Sequence, residues 1–374
     1  MSKISSQIKT IGINELYKNI ELIMVAGLVP LVQSSPGIGK TSVARMFGFK
    51  NRLKLIDVRL ATADPTDLTG FPRINQQTNR AEYVPFNTFP VEGDPLPMVP
   101  NPAFDSTQPE SATNAKEVQA KGWLIVFDEI TSAVPALQAA AYKILLEREV
   151  GLLKLHPRVK MIGLGNRMTD NAVVSRMSTA LQSRLIHLVV TSDRSTWCDW
   201  AYSAGVFTPV ISFLNSRPQL LNSFEPDHND NTFPCERTWE FVSKLCKTAI
   251  TLNQPINLEM LPVIAGAIGQ GAAQEFLGFM SIYNDLIPLS EIVADPARAR
   301  IPNEPAGKWA ITGVIADGIN ATNVDRLVVY LQRLATEFQI ITLQQIFALN
   351  PAVLKTPGAI KYATEMSKYL IRRN

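Results

Sequence analysis

Cysteine and histidine are scarce: the 374 residues hold three of each. Cys198, Cys235 and Cys246 show neither C-x-x-C nor His-rich spacing, which excludes a zinc framework or a disulfide-stapled fold and predicts a reducing, cytoplasmic setting. Long apolar runs are missing as well. The most apolar stretch, 22–32, is broken by Gly27 and Pro30 and is too short to span a bilayer, so no membrane partner is expected. Residues 1–9 are polar and carry no signal-peptide core. Charge of one sign is in short supply: 36 Lys and Arg against 33 Asp and Glu leave +3, too little to argue for nucleic acid by itself. No internal repeat and no low-complexity tract appear. What remains is globular in character, 46% hydrophobic and 18% charged, and long enough to predict two domains.

The rest of the chain is organised around residues 31–41, Leu-Val-Gln-Ser-Ser-Pro-Gly-Ile-Gly-Lys-Thr. An apolar run enters a loop bearing Gly37 and Gly39, and Lys40-Thr41 opens a helical pattern. That is the strand–loop–helix context of a phosphate-binding loop. Glycines let backbone N–H groups of Ser35, Gly37, Ile38, Gly39 and the Lys40-Thr41-Ser42 turn approach phosphate oxygens, with Pro36, which has no N–H, as part of the same binding loop, and the helix N-terminus adds its positive end. Lys40 suits the β- and γ-phosphates of ATP, and the Thr41 hydroxyl suits Mg2+. Ser34 stands where G-x-x-x-x-G-K-[ST] has its first glycine, and its hydroxyl can cap the turn instead. The plain alternative is a Gly-Pro turn before an ordinary helix.

Trp123-Leu-Ile-Val-Phe-Asp-Glu129 is the second signal. Five consecutive apolar residues predict a strand buried on both faces, ending in two carboxylates at the edge where α/β sites form. Asp128 suits Mg2+, and Glu129 suits polarising an attacking water. A further strand at 160–165 ends in Asn166, whose amide either orients that water or simply makes a turn.

The predicted order runs helix 14–26, strand 29–33, strand 53–60, a loop at 64–70, a hairpin at 73–86, a long Pro-rich connection at 92–122, helix 134–147, a hairpin at 148–156 and strand 160–165. A helical stretch at 177–185 then leads to strand 186–190. Hydrophobic strands alternating with helices predict an α/β class, with five parallel strands and right-handed crossovers. After 191 the strand signal fades. Helices are predicted at 195–205, 209–214, 237–250, 258–268, 272–283, 324–338 and 344–349, with a proline-punctuated linker at 288–305.

Taken together these residues resemble the AAA+ ATPases, and within them the MoxR-like, dynein-related branch, close to phage and bacterial members. The likeness extends to Asp64-Pro-Thr-Asp-Leu-Thr-Gly-Phe-Pro72, Gly165-Asn-Arg-Met-Thr-Asp170, Ala180-Leu-Gln-Ser-Arg-Leu185, Glu236-Arg-Thr-Trp239 and Gly271-Ala-Ala-Gln-Glu-Phe276, and so covers most of the chain. It implies an AAA+ P-loop core over 1–192, with helices on both faces of the sheet and insert hairpins near 73–86 and 148–158. A helical lid over 193–290 and a C-terminal helical extension over 291–374 follow. It implies Asn166 as sensor 1, Arg184 as the arginine finger reaching a neighbour's γ-phosphate with Arg176 as runner-up, and Arg237 as the sensor 2 arginine of the lid. Glu236 stands where the family usually has proline. In relatives the two hairpins project toward a ring's pore or one face.

A site holding only Lys40, Thr41, Asp128 and Glu129 lacks a positive charge in trans, so a homo-oligomeric ring, a hexamer, is expected. The leading function is a Mg-ATP-hydrolysing, chaperone-like remodeller of a protein partner. The resemblance implies as one such partner a von Willebrand A-type protein. A DNA motor is the second function: Lys154, His156, Arg158 and Lys160 form a basic run, although so few charges give little counterion release. A nucleotide-gated scaffold with little turnover is the third.

Overall fold

A computed structural model describes residues 9–111, 114–170, 177, 179–227 and 230–370. The chain divides into two compact units, residues 1–192 with 225–227 and residues 193–224 with 228–374.

The first unit begins with β1 (Thr10–Ile11), α1 (Ile13–Val25), β2 (Val29–Ser34), α2 (Lys40–Lys50), β3 (Leu53–Arg59) and the short α3 (Pro65–Thr69). Two antiparallel hairpins follow, β4 (Phe71–Asn75) with β5 (Arg80–Val84), and β6 (Met98–Pro100) with β7 (Glu117–Gln119). Then come β8 (Gly122–Asp128), α4 (Pro135–Glu147), a hairpin of β9 (Glu149–Val150) and β10 (Leu153–Lys154), β11 (Val159–Asn166), α5 (Thr179–Gln182) and β12 (Leu185–Val190). One parallel sheet takes the order β1-β12-β2-β11-β8-β3. Its strands alternate with period two, and both faces are apolar. Leu31, Ile125, Phe127 and Met161 bury with Leu137, Ala141 and Ile144 of α4. Val32, Leu124, Val126, Ile162 and Leu164 bury with Leu16 and Ile20 of α1 and Phe47 of α2. A sheet covered by helices on both faces requires that composition, and the α/β class read from the sequence is the class observed.

Several expectations change. The sheet has six strands rather than five, because β1 adds a parallel edge beside β12. Two residues are too few to register as a periodic pattern. Residues 64–70, expected as a loop, contain α3: the Asp64 carboxylate accepts from Thr66 N at 2.9 Å, and Asp67 accepts from Asp64 N at 2.8 Å. Turn-forming composition here is a reciprocal helix cap with Pro65 in the first turn. The long connection at 92–122 is tied by the β6–β7 pair. Of the helical stretch expected at 177–185, the described residues are helical only over α5, a turn follows at 183–184, and β12 begins one residue earlier than expected.

The second unit is all helical: α6 (Arg194–Ser203), α7 (Thr208–Ser216), α8 (Glu236–Thr251), α9 (Leu261–Ile268), α10 (Gln270–Asn284), α11 (Leu289–Ala294), α12 (Pro305–Gly318), α13 (Val324–Leu331), α14 (Thr336–Leu349) and α15 (Pro357–Leu370). Phe213, Trp239 and Phe276 centre one buried cluster, with ring centroids 5.5–5.9 Å apart. Leu327, Tyr330 and Leu343 belong to another. Helix α12 serves both: Ala310 packs in the first, and Ile311 and Ile315 in the second. Being apolar on two sides, it has no single-face periodicity to read, and neither it nor α15 was expected. The helix expected at 324–338 is two helices, since Ala335 turns extended before α14. Leu331, Leu334 and Phe338 still bury together across the break, which makes the periodicity read as continuous. Part of the 288–305 linker is α11. The three cysteines are free and buried here. Burial pushes the Cys198 and Cys246 thiols up to about 12, so neither is a nucleophile at neutral pH. Among the described residues no helix is long and apolar enough to cross a membrane.

Candidate active site

The sheet order places three strand ends side by side. β11 lies between β2 and β8, with Asn166 paired to Ser34 and Gly163 to Phe127. The loop after β2, the carboxylates ending β8 and the amide ending β11 therefore share one carboxyl edge. Gly37 and Gly39 sit at φ 83° and 91°, left-handed values that only glycine takes without strain. Gly39 is also the N-cap of α2. No side chain caps that helix and no acid occupies its first turn, so its leading N–H groups are left for an anion. Ile38 buries among Val32 and Ala44 and anchors the loop, whereas Ser35 and Pro36 are half-buried and Ser42 is exposed.

Lys40 Nζ donates to Ser34 O at 3.1 Å, Ser34 Oγ at 3.0 Å, Ser35 O at 3.3 Å and Asn166 Oδ1 at 3.1 Å. Ser34 is fully buried, and its hydroxyl donates to Ser35 O at 2.9 Å. The serine in the first-glycine position thus holds the loop and the lysine by hydrogen bonds. Thr41 Oγ1 donates to Asp128 Oδ2 at 2.8 Å. A hydroxyl and a carboxylate meeting at one strand end are hard oxygen donors of the kind Mg2+ takes in phosphate sites. Asp128 is 8% exposed, and its Oδ1 accepts from Glu129 N at 2.9 Å. Glu129 itself lies at φ 59°, a left-handed value for a non-glycine residue. Such outliers cluster at functional sites.

Two residues belong to the site that sequence reasoning gave no role. Thr131 Oγ1 accepts from Asn166 N at 3.0 Å and so fixes the end of β11. Asp170, 6% exposed, approaches Ser35 Oγ through its Oδ1 at 3.5 Å. The one available signal was its position four residues after Asn166. Gly165 is forced by the same contact: a Cβ there would stand 2.5 Å from Thr131 Cγ2 and 2.6 Å from its hydroxyl. Gly165→Ala is expected to cost about 1–3 kcal/mol by overpacking and to displace Asn166. Urea unfolding measures the first, and a drop in turnover larger than the stability loss explains measures the second.

The arginines are placed differently. Arg184 is exposed beyond α5, with its guanidinium 5.5 Å from the Tyr142 ring centroid on α4. Arg237 is exposed in the first turn of α8, in the second unit. Beside it Glu236 is buried and accepts from Asn222 Nδ2 at 2.9 Å. An acid at a helix start suits the helix dipole. Arg176 lies outside the described residues.

No protein-family model matches the chain, and no curated protein matches its sequence. Among solved structures, a candidate ATPase from Cytophaga hutchinsonii overlays with a TM-score of 0.35 at 11% identity, covering 96% of this chain and 90% of that one. A RuvB mutant from Thermotoga maritima gives 0.33 at 11%, over 95% and 88% of the two chains. NtrX from Brucella abortus gives 0.32 at 13%, over 73% and 68%.

Proposed function

We propose that this chain is a Mg-ATP-hydrolysing ATPase of the AAA+ type, working as a ring, a hexamer, on a protein client. The observation that carries the proposal is the convergence of Lys40 on Ser34 and Asn166 while Thr41 meets Asp128. A cation, an uncapped helix start, a hydroxyl–carboxylate pair and a neutral amide then stand on adjacent strand ends, which is what a phosphoryl-transfer site needs. The donor set fits magnesium, which Thr41 and Asp128 would hold and which supplies Lewis-acid neutralisation of the phosphate oxygens when bound.

The chain's own residues do the rest. Lys40 and the first N–H groups of α2 bind the phosphates. Asn166 orients a water, and a Glu129 carboxylate oxygen takes its proton as the water oxygen attacks the γ-phosphorus and ADP leaves. Arg184 serves as the finger for the neighbouring subunit, a role its exposure suits, and Arg237 serves as the sensor 2 arginine of the lid. The client is a protein, with a von Willebrand A-type domain as the partner class the resemblance suggests, and the setting is the cytoplasm.

The test is steady-state hydrolysis across protein concentration, with and without single-stranded DNA. Turnover per subunit is expected to rise with concentration as neighbours complete each site, and to ignore DNA. Turnover per subunit that is already maximal for a demonstrated monomer removes the ring. Stimulation by DNA replaces the protein client with a nucleic-acid one.

A further inference from the structure

At the amino edge of the same sheet, where β2, β8 and β11 begin, lies a cavity of about 530 Å3 lined by Lys121, Arg148, Arg158 and Lys160 over an apolar floor that includes Met24 and Met161. No Asp or Glu among its described residues lines it. Among the described residues none of the four cations forms an ion pair. Two of them are fastened in place. Arg148, the left-handed C-cap of α4 at φ 56°, donates from Nη2 to Val159 O at 2.7 Å. Lys160 Nζ donates to Met24 O at 3.1 Å. The other two, Lys121 and Arg158, are exposed. They are brought together by Gly122, where a Cβ would stand 2.2 Å from the Arg158 carbonyl oxygen, an approach closed to any other residue.

Clustering like charges without a counter-ion costs free energy, more so beside apolar walls that thin the water between them. Arg148 bears a separate cost of burial, since desolvation lowers its pKa. A partner that removes the cost of clustering must carry several negative charges at close spacing. The apolar floor and the absence of any carboxylate at the rim argue against a metal or a cationic peptide.

We propose that this cavity is a second phosphate-binding site, separate from the P-loop, that takes a linear chain of linked phosphates. A single nucleic-acid strand and a free polyphosphate present the same chemistry to it. This proposal does not depend on ATP hydrolysis by the chain.

Calorimetric titration of the full-length Lys40→Ala protein, which has lost the P-loop cation, tests it with two probes: an oligothymidylate and tripolyphosphate. With all four cations engaged, the single strand is expected to follow a log–log salt slope of about −2.8, so that its affinity falls about 50-fold between about 50 and 200 mM salt. Lys121→Glu with Arg158→Glu, both exposed, is expected to weaken binding at least tenfold and to halve that slope or more. If the reversed pair lowers the melting temperature, Lys121→Gln with Arg158→Gln carries the same test with a smaller drop. Binding of the oligonucleotide in preference assigns a nucleic-acid backbone, and binding of tripolyphosphate alone assigns a small polyphosphate. Binding of neither probe, or equal binding by the parent and the charge-altered proteins, overturns the proposal.

Discussion

Glu129→Gln is expected to bind ATP as the parent does and to hydrolyse it about 10²–10⁴-fold more slowly, the usual worth of a positioned general base. That loss is about 3–5 kcal/mol of transition-state stabilisation. The amide has the size of the carboxylate and keeps the backbone N–H that Asp128 Oδ1 accepts, so the Thr41–Asp128 pair that suits magnesium is left in place. What disappears is an oxygen able to take a proton. A fluorescent nucleotide analogue measures the binding, and single-turnover hydrolysis measures the chemical step. Retained single-turnover rate would move the base to another carboxylate. Asp170 is the one placed to inherit the role, being buried beside Ser35 with an Oδ2 that has no hydrogen-bond partner among the described residues. Loss of binding together with hydrolysis would instead say that the left-handed backbone at Glu129 shapes the phosphate loop, a structural role.

The parts of this site that could be read from the sequence are those that local chain direction fixes. Lys40 and Thr41 are legible because a glycine loop, a strand before it and a helix after it are contiguous. Asp128 and Glu129 are legible because a seven-residue strand with every residue buried points at them. Thr131 and Asp170 were not, since their roles exist only once β11 pairs with β8 and β2 and brings distant segments to one edge. The fold divides in the same way. Long strands buried on both faces announce themselves by composition, whereas β1 is two residues long and gains its meaning from pairing with β12. Composition also misleads where one residue type serves two geometries. Asp64-Pro-Thr-Asp67 reads as a turn, and the same side chains close the capping box of α3. In the helical unit, single-face periodicity finds α8, which buries Trp239, Val242, Cys246 and Ala249 at helical spacing. It misses α12, which packs on two clusters at once. Two-sided burial erases the polar stripe that the method depends on.

Arg184→Ala is expected to have the larger effect on multiple turnover. An arginine finger is worth about 10³–10⁵ in rate, or about 4–7 kcal/mol. The side chain is exposed and its guanidinium stands 5.5 Å from the Tyr142 ring centroid, a contact worth about 0.5–1 kcal/mol at an exposed site. Stability and nucleotide binding should hardly change while hydrolysis collapses. The decisive experiment mixes this variant with Glu129→Gln. Each protein alone is inactive for a different reason: one has its base but no finger to donate, and the other has a finger but no base. In a ring with head-to-tail contacts, an Arg184→Ala subunit seated beside a Glu129→Gln neighbour regains a complete site. With equal amounts and random order, about one interface in four is of that kind. Activity should therefore return to roughly a quarter of the parent's if sites fire independently, and to less if all must fire in sequence. A monomeric enzyme, or a finger acting in cis, gives no recovery at any mixing ratio. Arg176→Ala run through the same mixture separates the two arginines: the one whose loss is rescued by Glu129→Gln subunits reaches across the interface, and the other serves its own chain.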